Sequence, residues 1–332
     1  MSLPVFSVLR PRRLEEALEE LSACGAEAML IAGGTDVVPN LRMKLFAPRT
    51  LIDLKGLRDL VGVEFDAARG LRIGALTTIA TIAESPIIEQ HYPVLALAAG
   101  GIASPPLRNM GTLGGNLCLE TRCLWYNQSY FWRKTCGFCL KKDGTVCHVA
   151  PGGQFCWAVW SGDTAGPLLA LDAEMEIVGP RGTRRVSLVH FYKNDGMDRI
   201  DLARDEILTA VHIPAQTAGY RGSYQKLRIR SSIDYPLAGV AVAMKLDSGT
   251  CQDARIALTA VNPAPVRVEE ASRLLAGQAY SAELADAVAH AVIRTGKPLK
   301  TSVSTPEYRR EALHAFTRRA LRILWEGNGS RR

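Results

Sequence analysis

A short central segment concentrates the side chains best suited to binding a metal. Six of the eight cysteines lie in it, at Cys118, Cys123, Cys136, Cys139, Cys147 and Cys156. Thiolates are soft ligands, and four of them can bind either a zinc ion or a [4Fe–4S] cluster. We therefore predict a metal centre in this segment.

The spacing of these cysteines favours a cluster over zinc. Structural zinc sites usually combine two pairs of closely spaced ligands. Cys136 and Cys139 form one such pair, but Cys147 and Cys156 lie too far apart to form the second. Four of the five tryptophans also fall between residues 117 and 160. Their rings could exclude water from a cluster, or simply pack a small core.

Basic residues lie among the cysteines. They are Arg133, Lys134, Lys141 and Lys142. Such residues are typical of a solvated loop, but they could also form a docking patch for an acidic electron carrier, because opposite charges steer an encounter. Both interpretations stay open.

Two glycine-rich loops could bind phosphate. The first is A-G-G-T-D at 32–36, after a short apolar strand, and the second is G-T-L-G-G-N at 111–116. Glycine lets main-chain N–H groups approach an anion closely. Neither loop has the Rossmann or the P-loop spacing, and each alone is more typical of a turn. Together they favour a dinucleotide with two phosphates.

A third basic element lies later in the chain. If residues 224–230 form a strand, Lys226, Arg228 and Arg230 share one face of it. That face could be a solvated edge, or it could line an anionic ligand such as a reduced flavin.

The order of predicted elements indicates an α+β protein. A helix is expected over Leu14–Cys24, ended by Gly25, and short strands follow it. Asp163 is a good N-cap for an apolar helix over 164–171. After a linker at 214–220, three strands precede three helices, a pattern that places helices on one face of a sheet. Residues 327–332 are predicted to be disordered.

Bulk properties narrow the class of protein. The 332 residues predict two or three domains. No apolar stretch is long enough to span a bilayer and no secretory signal is evident, so we expect a cytoplasmic protein without membrane contact. In that reducing compartment the cysteines are not expected to form disulfides. The net charge of +7 is spread along the chain, and nucleic-acid binding is not expected.

The motifs together resemble the FAD-binding subunits of the xanthine dehydrogenase and carbon monoxide dehydrogenase family. The resemblance rests on the loops at 32–36 and 108–116, on S-G-D-T at 161–164 and on Lys226, Arg230 and Asp234. It covers nearly the whole chain. It implies a two-lobed, PCMH-like FAD-binding domain at 1–216, with lobes at about 1–56 and 57–216. A domain like the C-terminal domain of the carbon monoxide dehydrogenase flavoprotein would follow at 220–327.

The resemblance also implies which residues bind FAD. These are Ile31, Ala32, Gly33, Gly34, Thr35, Asp36, Asn109, Gly111, Thr112, Gly115, Asn116, Asp163 and Lys226. Within this set, residues 33–36 would hold the pyrophosphate region. No residue of the chain is expected to act as a catalytic acid or base.

The chain departs from the common family pattern between Asn116 and Asp163, which lie 47 positions apart instead of close together. A cysteine-carrying insertion at about 117–160 resembles that of one subgroup, the 4-hydroxybenzoyl-CoA reductases. This likeness implies a [4Fe–4S] cluster, leaves Cys118 spare, and leaves Cys136 as the main alternative ligand. The ligands implied are Cys123, Cys139, Cys147 and Cys156.

The same likeness implies a function in electron transfer. Reduced ferredoxin would donate electrons that pass through [4Fe–4S] and FAD to a [2Fe–2S] small subunit and a molybdenum-cofactor large subunit. The assembly would be a dimer of heterotrimers that dehydroxylates 4-hydroxybenzoyl-CoA reductively. Two alternatives stay open: a related molybdenum hydroxylase that delivers electrons to NAD or another acceptor, and a zinc-stabilised module that binds nucleic acid or protein.

Overall fold

The N-terminal part of the chain forms a small parallel sheet. The computed structural model describes residues 2–327, so the disorder predicted for 327–332 falls, apart from Gly327, outside the described residues. The strand order is β1-β3-β2, with β1 at Ser7–Leu9, β2 at Ala28–Ile31 and β3 at Thr50–Asp53.

Helix α1 (Leu14–Cys24) covers this sheet, as its apolar spacing predicts. It buries Ala17 and Leu21 in a core shared with Ile52 of β3. Gly25 ends the helix with a φ of 51°, a conformation that glycine adopts more readily than other residues. Helix α2 (Val37–Arg42) follows the loop after β2.

The middle of the chain builds a five-stranded antiparallel sheet with strand order β4-β5-β8-β6-β7. Its strands are β4 (Val63–Asp66), β5 (Gly70–Gly74), β6 (Glu174–Gly179), β7 (Gly182–Ser187) and β8 (Ile207–Ile213). Strand β8 lies at the centre, and every residue of it except His212 is buried.

Short helices connect and cover this sheet. They are α3 (Ile79–Glu84), α4 (Pro86–His91), α5 (Pro93–Gly100), α6 (Pro105–Met110), α7 (Leu113–Leu117), α8 (Tyr130–Thr135), α9 (Ala165–Ala170) and α10 (Leu188–Phe191). Thr78 caps α3 by accepting a hydrogen bond from the N–H of Thr81. In the insertion, all of which the structure describes, α8 is the one helix of residues 118–160.

The last part of the chain forms a four-stranded antiparallel sheet of order β12-β11-β10-β9. Its elements are β9 (Arg221–Leu227), β10 (Ala238–Asp247), β11 (Thr250–Thr259), β12 (Val266–Arg267), α11 (Glu269–Leu275), α12 (Ala282–Thr295) and α13 (Pro306–Glu326). The predicted succession of three strands and three helices is confirmed. The two-residue strand β12 is too short for its pattern to have been predicted.

Strand β10 joins this sheet to the rest of the molecule. Val240 and Val242 lie in the core shared with α11, α12 and α13, whereas Ala241 and Ala243 lie in the core of the preceding five-stranded sheet. The alternation follows the two-residue period of a strand. Both faces of the C-terminal sheet are therefore covered.

Two predicted arrangements are wrong. Strand β9 ends at Leu227, so Arg228 and Arg230 lie beyond it and do not share a strand face with Lys226. Asp163 does not cap the helix that follows, because Thr164 occupies the N-cap position of α9 and no side chain caps it.

In the part of the chain that the structure describes, no helix is long and apolar enough to cross a membrane.

We predict that Arg309→Met destabilises the C-terminal domain. The fully buried guanidinium of Arg309 donates to the carbonyl oxygens of Leu237 (2.7 Å), Leu299 (2.9 Å) and Ala260. Its loss leaves the carbonyl oxygens of Leu237 and Ala260 without this donor, whereas that of Leu299 still accepts from the N–H of Thr301 (2.7 Å); the free energy of unfolding should fall by about 3 kcal/mol. Urea denaturation measures this change. The control is Arg322→Met, whose side chain is 60% exposed; a loss of stability as large in this variant would contradict the explanation.

Candidate functional site

The first glycine loop, residues 32–36, joins β2 to α2 and offers free hydrogen-bond donors. Within residues 2–327, the backbone N–H groups of Gly33, Gly34, Thr35 and Asp36 donate to no other group of the protein. Gly34 has a φ of 72°, in the left-handed region that favours glycine. Successive free N–H groups around such a turn form the kind of concavity that binds an anion.

The second glycine loop, residues 111–116, differs from the prediction. It is a tight turn between α6, which contains Asn109, and α7. The N–H groups of Gly111 and Asn116 donate to the carbonyls of Leu107 (2.8 Å) and Thr112 (2.9 Å), and that of Gly115 donates to Thr112 Oγ1 (3.1 Å). These three N–H groups are therefore already used within the protein, unlike those of the first loop, and a role of the second loop in binding FAD stays a prediction.

The two glycine loops contact each other directly. A Cβ atom added at Gly33 would lie 1.8 Å from the carbonyl oxygen of Met110, at the end of α6. A Cβ at Gly111 would lie 3.6 Å from Thr35 Oγ1. Gly33 is therefore required for the close approach of the backbones, and the loops form one continuous surface.

Asp163 and Lys226 meet beside the second glycine loop. Asp163 is 3% exposed, and its carboxylate accepts hydrogen bonds from Lys226 Nζ (3.0 Å) and Tyr224 Oη (2.7 Å). Burial raises the pKa of Asp163, and the Lys226 ammonium opposes that rise. Lys226 also donates to the carbonyl of Gly101 at 3.1 Å. The pair links the C-terminal sheet to the end of α5.

Asn116 reaches the same place from the second loop. Its Oδ1 accepts hydrogen bonds from Thr164 Oγ1 (2.6 Å) and from the N–H of Thr164 (3.2 Å). The structure thus brings Asn116, Asp163 and Lys226 together. Arg230 is not part of this group, because its guanidinium pairs with Asp234.

Asp36 points away from its own loop and towards the insertion. Its carboxylate accepts hydrogen bonds from the N–H of Glu120 (3.1 Å), the hydroxyl of Tyr235 (3.3 Å) and the guanidinium of Arg122. The Arg122 guanidinium also lies over the Tyr235 ring, 4.0 Å from its centre. Tyr235 and Glu120 were missed by sequence reasoning, since their partners lie far away in the chain.

Four of the six clustered cysteines line a single cavity. The four are Cys123, Cys139, Cys147 and Cys156, and all are buried. Burial raises the pKa of the Cys123 thiol to about 12 and that of Cys156 to about 11. Cys136 is the C-cap of α8, and Cys118 packs against the main core; neither lines the cavity.

The sulfur atoms of this cavity are spread more widely than one zinc ion requires. Zn–S bonds of ~2.3 Å in a tetrahedron place ligand sulfurs about 3.8 Å apart. Among residues 2–327, no three cysteine sulfurs lie within 4.8 Å of one another. The sulfurs are therefore not arranged as the ligands of a single tetrahedral zinc ion.

Aromatic and basic side chains surround the cavity. Trp125, Tyr126 and His148 line it, and the rings of Trp125 and His148 lie 4.6 Å apart. The predicted docking patch is wrong at Arg133 and Lys141. The Arg133 side chain is 1% exposed and donates to the carbonyl of Lys44, and that of Lys141 is 6% exposed.

The outer surface of the insertion is therefore less basic than predicted and more aromatic. Lys134 is exposed, and the Lys142 side chain is 39% exposed. Phe131 and Phe155 are 76% and 60% exposed. The composition of the segment alone does not distinguish these exposed rings from the buried ones.

Several proteins are similar to this chain over nearly its full length. The putative xanthine dehydrogenase FAD-binding subunit of Escherichia coli K12 is 29% identical, over 94% of this chain and 93% of that protein. The carbon monoxide dehydrogenase medium chain of Hydrogenophaga pseudoflava is 28% identical over 97% and 98%. The nicotine 6-hydroxylase medium subunit of Paenarthrobacter nicotinovorans is 30% identical over 97% and 98%.

Solved structures share the fold. A carbon monoxide dehydrogenase chain from Hydrogenophaga pseudoflava superposes with a TM-score of 0.80 at 29% identity, covering 98% of this chain and 99% of that one. A chain of quinoline 2-oxidoreductase from Pseudomonas putida 86 gives a TM-score of 0.78 at 25% identity, with the same coverage.

Family assignments agree with these likenesses. Residues 4–216 match the FAD binding domain in molybdopterin dehydrogenase, and residues 222–324 match the CO dehydrogenase flavoprotein C-terminal domain. The predicted fold, a PCMH-like FAD-binding domain followed by a flavoprotein C-terminal domain, is confirmed. Since the first match spans more than half of the sequence, the chain belongs to the family of FAD-binding subunits of molybdopterin dehydrogenases.

Proposed function

We propose that the chain is the electron-transfer subunit of a 4-hydroxybenzoyl-CoA reductase and binds a [4Fe–4S] cluster as well as FAD. One observation carries the proposal: four cysteines of an insertion, far apart in sequence, line one buried cavity. A segment that only packed a small core would not need four thiols directed to one place. The family assignment independently supports the FAD site.

In the proposed FAD site, the first glycine loop binds the pyrophosphate. Its four free N–H groups fit an anionic group that the protein itself does not neutralise. The full set of residues proposed to line the site is Ile31, Ala32, Gly33, Gly34, Thr35, Asp36, Asn109, Gly111, Thr112, Gly115, Asn116, Asp163 and Lys226. Bound FAD would supply the exchange between one-electron and two-electron transfer.

The contact between the two glycine loops and the buried pair of Lys226 and Asp163 would shape the proposed FAD site and supply a positive charge to it. The contact between Gly33 and Met110 fixes how far apart the two loops lie. The buried amino group of Lys226 is held by Asp163 and by the Gly101 carbonyl. A cation so placed would stabilise negative charge on a reduced flavin.

The proposed cluster ligands are Cys123, Cys139, Cys147 and Cys156. Buried thiolates suit both zinc and a [4Fe–4S] cluster, and the spacing of the sulfurs, no three of them within 4.8 Å of one another among residues 2–327, supports the cluster. The cluster would supply a one-electron carrier. Trp125 and Tyr126 would limit the access of water to it.

The proposed partners follow from the same assignment. They are a molybdenum-cofactor large subunit, a [2Fe–2S] small subunit and reduced ferredoxin as the electron donor, in a dimer of heterotrimers. The words medium chain and medium subunit in the names of relatives support an assembly with other subunits. Lys134 and Lys142, the basic residues of the insertion left at its surface, could attract an acidic carrier.

A second candidate is the FAD subunit of a molybdenum hydroxylase that delivers electrons to NAD or another acceptor. The relatives named above, a xanthine dehydrogenase, a carbon monoxide dehydrogenase and a nicotine hydroxylase, favour it. The purified assembly separates the two. Dehydroxylation of 4-hydroxybenzoyl-CoA with reduced ferredoxin supports the first candidate, whereas reduction of NAD on adding an oxidisable substrate supports the second.

We predict that Cys139→Ser loses most of its iron and keeps its FAD, because the thiols and the glycine loops are separate sites. Iron and flavin analysis of anaerobically purified protein measures both. Cys136→Ser is the matched control, since Cys136 lies three residues away but outside the cavity. Full iron content in Cys139→Ser, or equal iron loss in both variants, would refute the ligand set.

We predict that Gly33→Ala lowers both FAD content and stability. The added methyl group would lie 1.8 Å from the Met110 carbonyl oxygen, so the backbones of the two loops must move apart. Overpacking of this kind costs about 2 kcal/mol or more. Gly152→Ala is the control, because a Cβ at Gly152 meets nothing within 4 Å. Stoichiometric flavin in Gly33→Ala would show that the contact between the loops does not shape the site.

A further inference from the structure

One of the residues that line the cysteine cavity is a lysine with a buried side chain. Lys141 is the only lysine or arginine among the residues that line the cavity, and its side chain is 6% exposed. A lysine on an irregular loop would ordinarily extend into water, because burying a charge is costly unless it is paired. A buried lysine side chain in this position therefore needs a partner of opposite charge.

The ammonium group is held in place from several sides. Lys141 Nζ contacts the carboxylate of Glu120 at 2.5 Å and Thr121 Oγ1 at 2.6 Å, and it donates to the carbonyl of Gly196. It also lies 4.7 Å from the centre of the Tyr126 ring. With these contacts made, the charge has little freedom to move away.

The ion pair is oriented with respect to the cysteines. Lys141 lines the cavity and Glu120 does not. The Lys141 ammonium donates to the carbonyl of Gly196, a residue at which an added Cβ would lie 2.8 Å from Cys156 Sγ, so the positive end of the pair lies beside the cysteines. Glu120 lies on the opposite side, where its backbone N–H donates to Asp36 of the first glycine loop at 3.1 Å. The pair therefore lies between the cysteine cavity and the proposed FAD site.

We propose that Lys141 raises the reduction potential of the metal cluster held by the four cysteines. The negative charge of Glu120 partly offsets this increase in the potential. The inference rests on the proposed function. The step affected is a one-electron reduction: a low-potential one-electron donor loses an electron, the four-cysteine site gains it, and no bond is made or broken. A fixed nearby cation stabilises the added negative charge, and burial strengthens that attraction.

The two members of the pair should have opposite effects on the potential. Lys141→Met removes the nearer positive charge and should lower the potential, whereas Glu120→Gln removes the more distant negative charge and should raise it. With an effective dielectric constant of about 20, each change should alter the reduced-to-oxidised ratio on the order of tenfold. This corresponds to ~59 mV for a one-electron couple.

Redox titration of the purified wild-type chain and its variants, followed by low-temperature EPR, tests the proposal. Iron and FAD contents are measured on the same samples. The matched control is Lys142→Met, which removes a neighbouring lysine that is 39% exposed and paired with Asp143. Its charge is screened by water, so its shift should be much smaller than that of Lys141→Met.

The outcomes separate this inference from the proposed function. A purely structural ion pair predicts similar loss of stability in both variants and no opposite shifts, so equal or same-direction shifts with iron retained would overturn it. If Lys141→Met does not retain iron, Glu120→Gln decides: a raised potential supports the proposal and an unchanged or lowered one overturns it. A wild-type chain without iron would instead refute the proposed function.

Discussion

The proposed arrangement of the FAD site and the cysteine cavity depends on the hydrogen bonds of the Asp36 carboxylate. It belongs to the first glycine loop, yet its hydrogen bonds go to Arg122 and the Glu120 N–H in the insertion and to Tyr235 near the C-terminal sheet. A partly buried carboxylate needs such partners, because desolvation without them is costly. Satisfying one charge therefore fixes the loop, the insertion and the C-terminal domain relative to one another, and it places a glycine loop beside a cysteine cavity.

Local features of the structure could be predicted from the sequence. Helix α1 begins and ends at the predicted residues because its apolar spacing and Gly25 lie within one short segment. The cysteines and both glycine loops were identified for the same reason: residue type and short-range spacing carry that information. The order of strands and helices after residue 220 was likewise sufficient to indicate an α+β domain.

Features that depend on distant contacts could not be predicted. Arg133 was expected at a surface, but it is buried against the carbonyl of Lys44, 89 residues earlier. Asp163 has the residue type of a helix cap, yet its carboxylate pairs with a buried lysine 63 residues later in the chain. Spacing alone also did not exclude Cys136 as a ligand; only the folded chain separates it from the cavity that Cys139 lines. In each case a tertiary partner overrides the local preference.

We propose that one polypeptide holds a flavin and an iron–sulfur cluster in adjacent but separate places. Metal and flavin analysis of the anaerobically purified chain, with EPR after chemical reduction, tests this most directly. We expect about four iron atoms for each FAD and the signal of a reduced cluster. Stoichiometric zinc, or a full complement of FAD with no iron and no such signal, would contradict it.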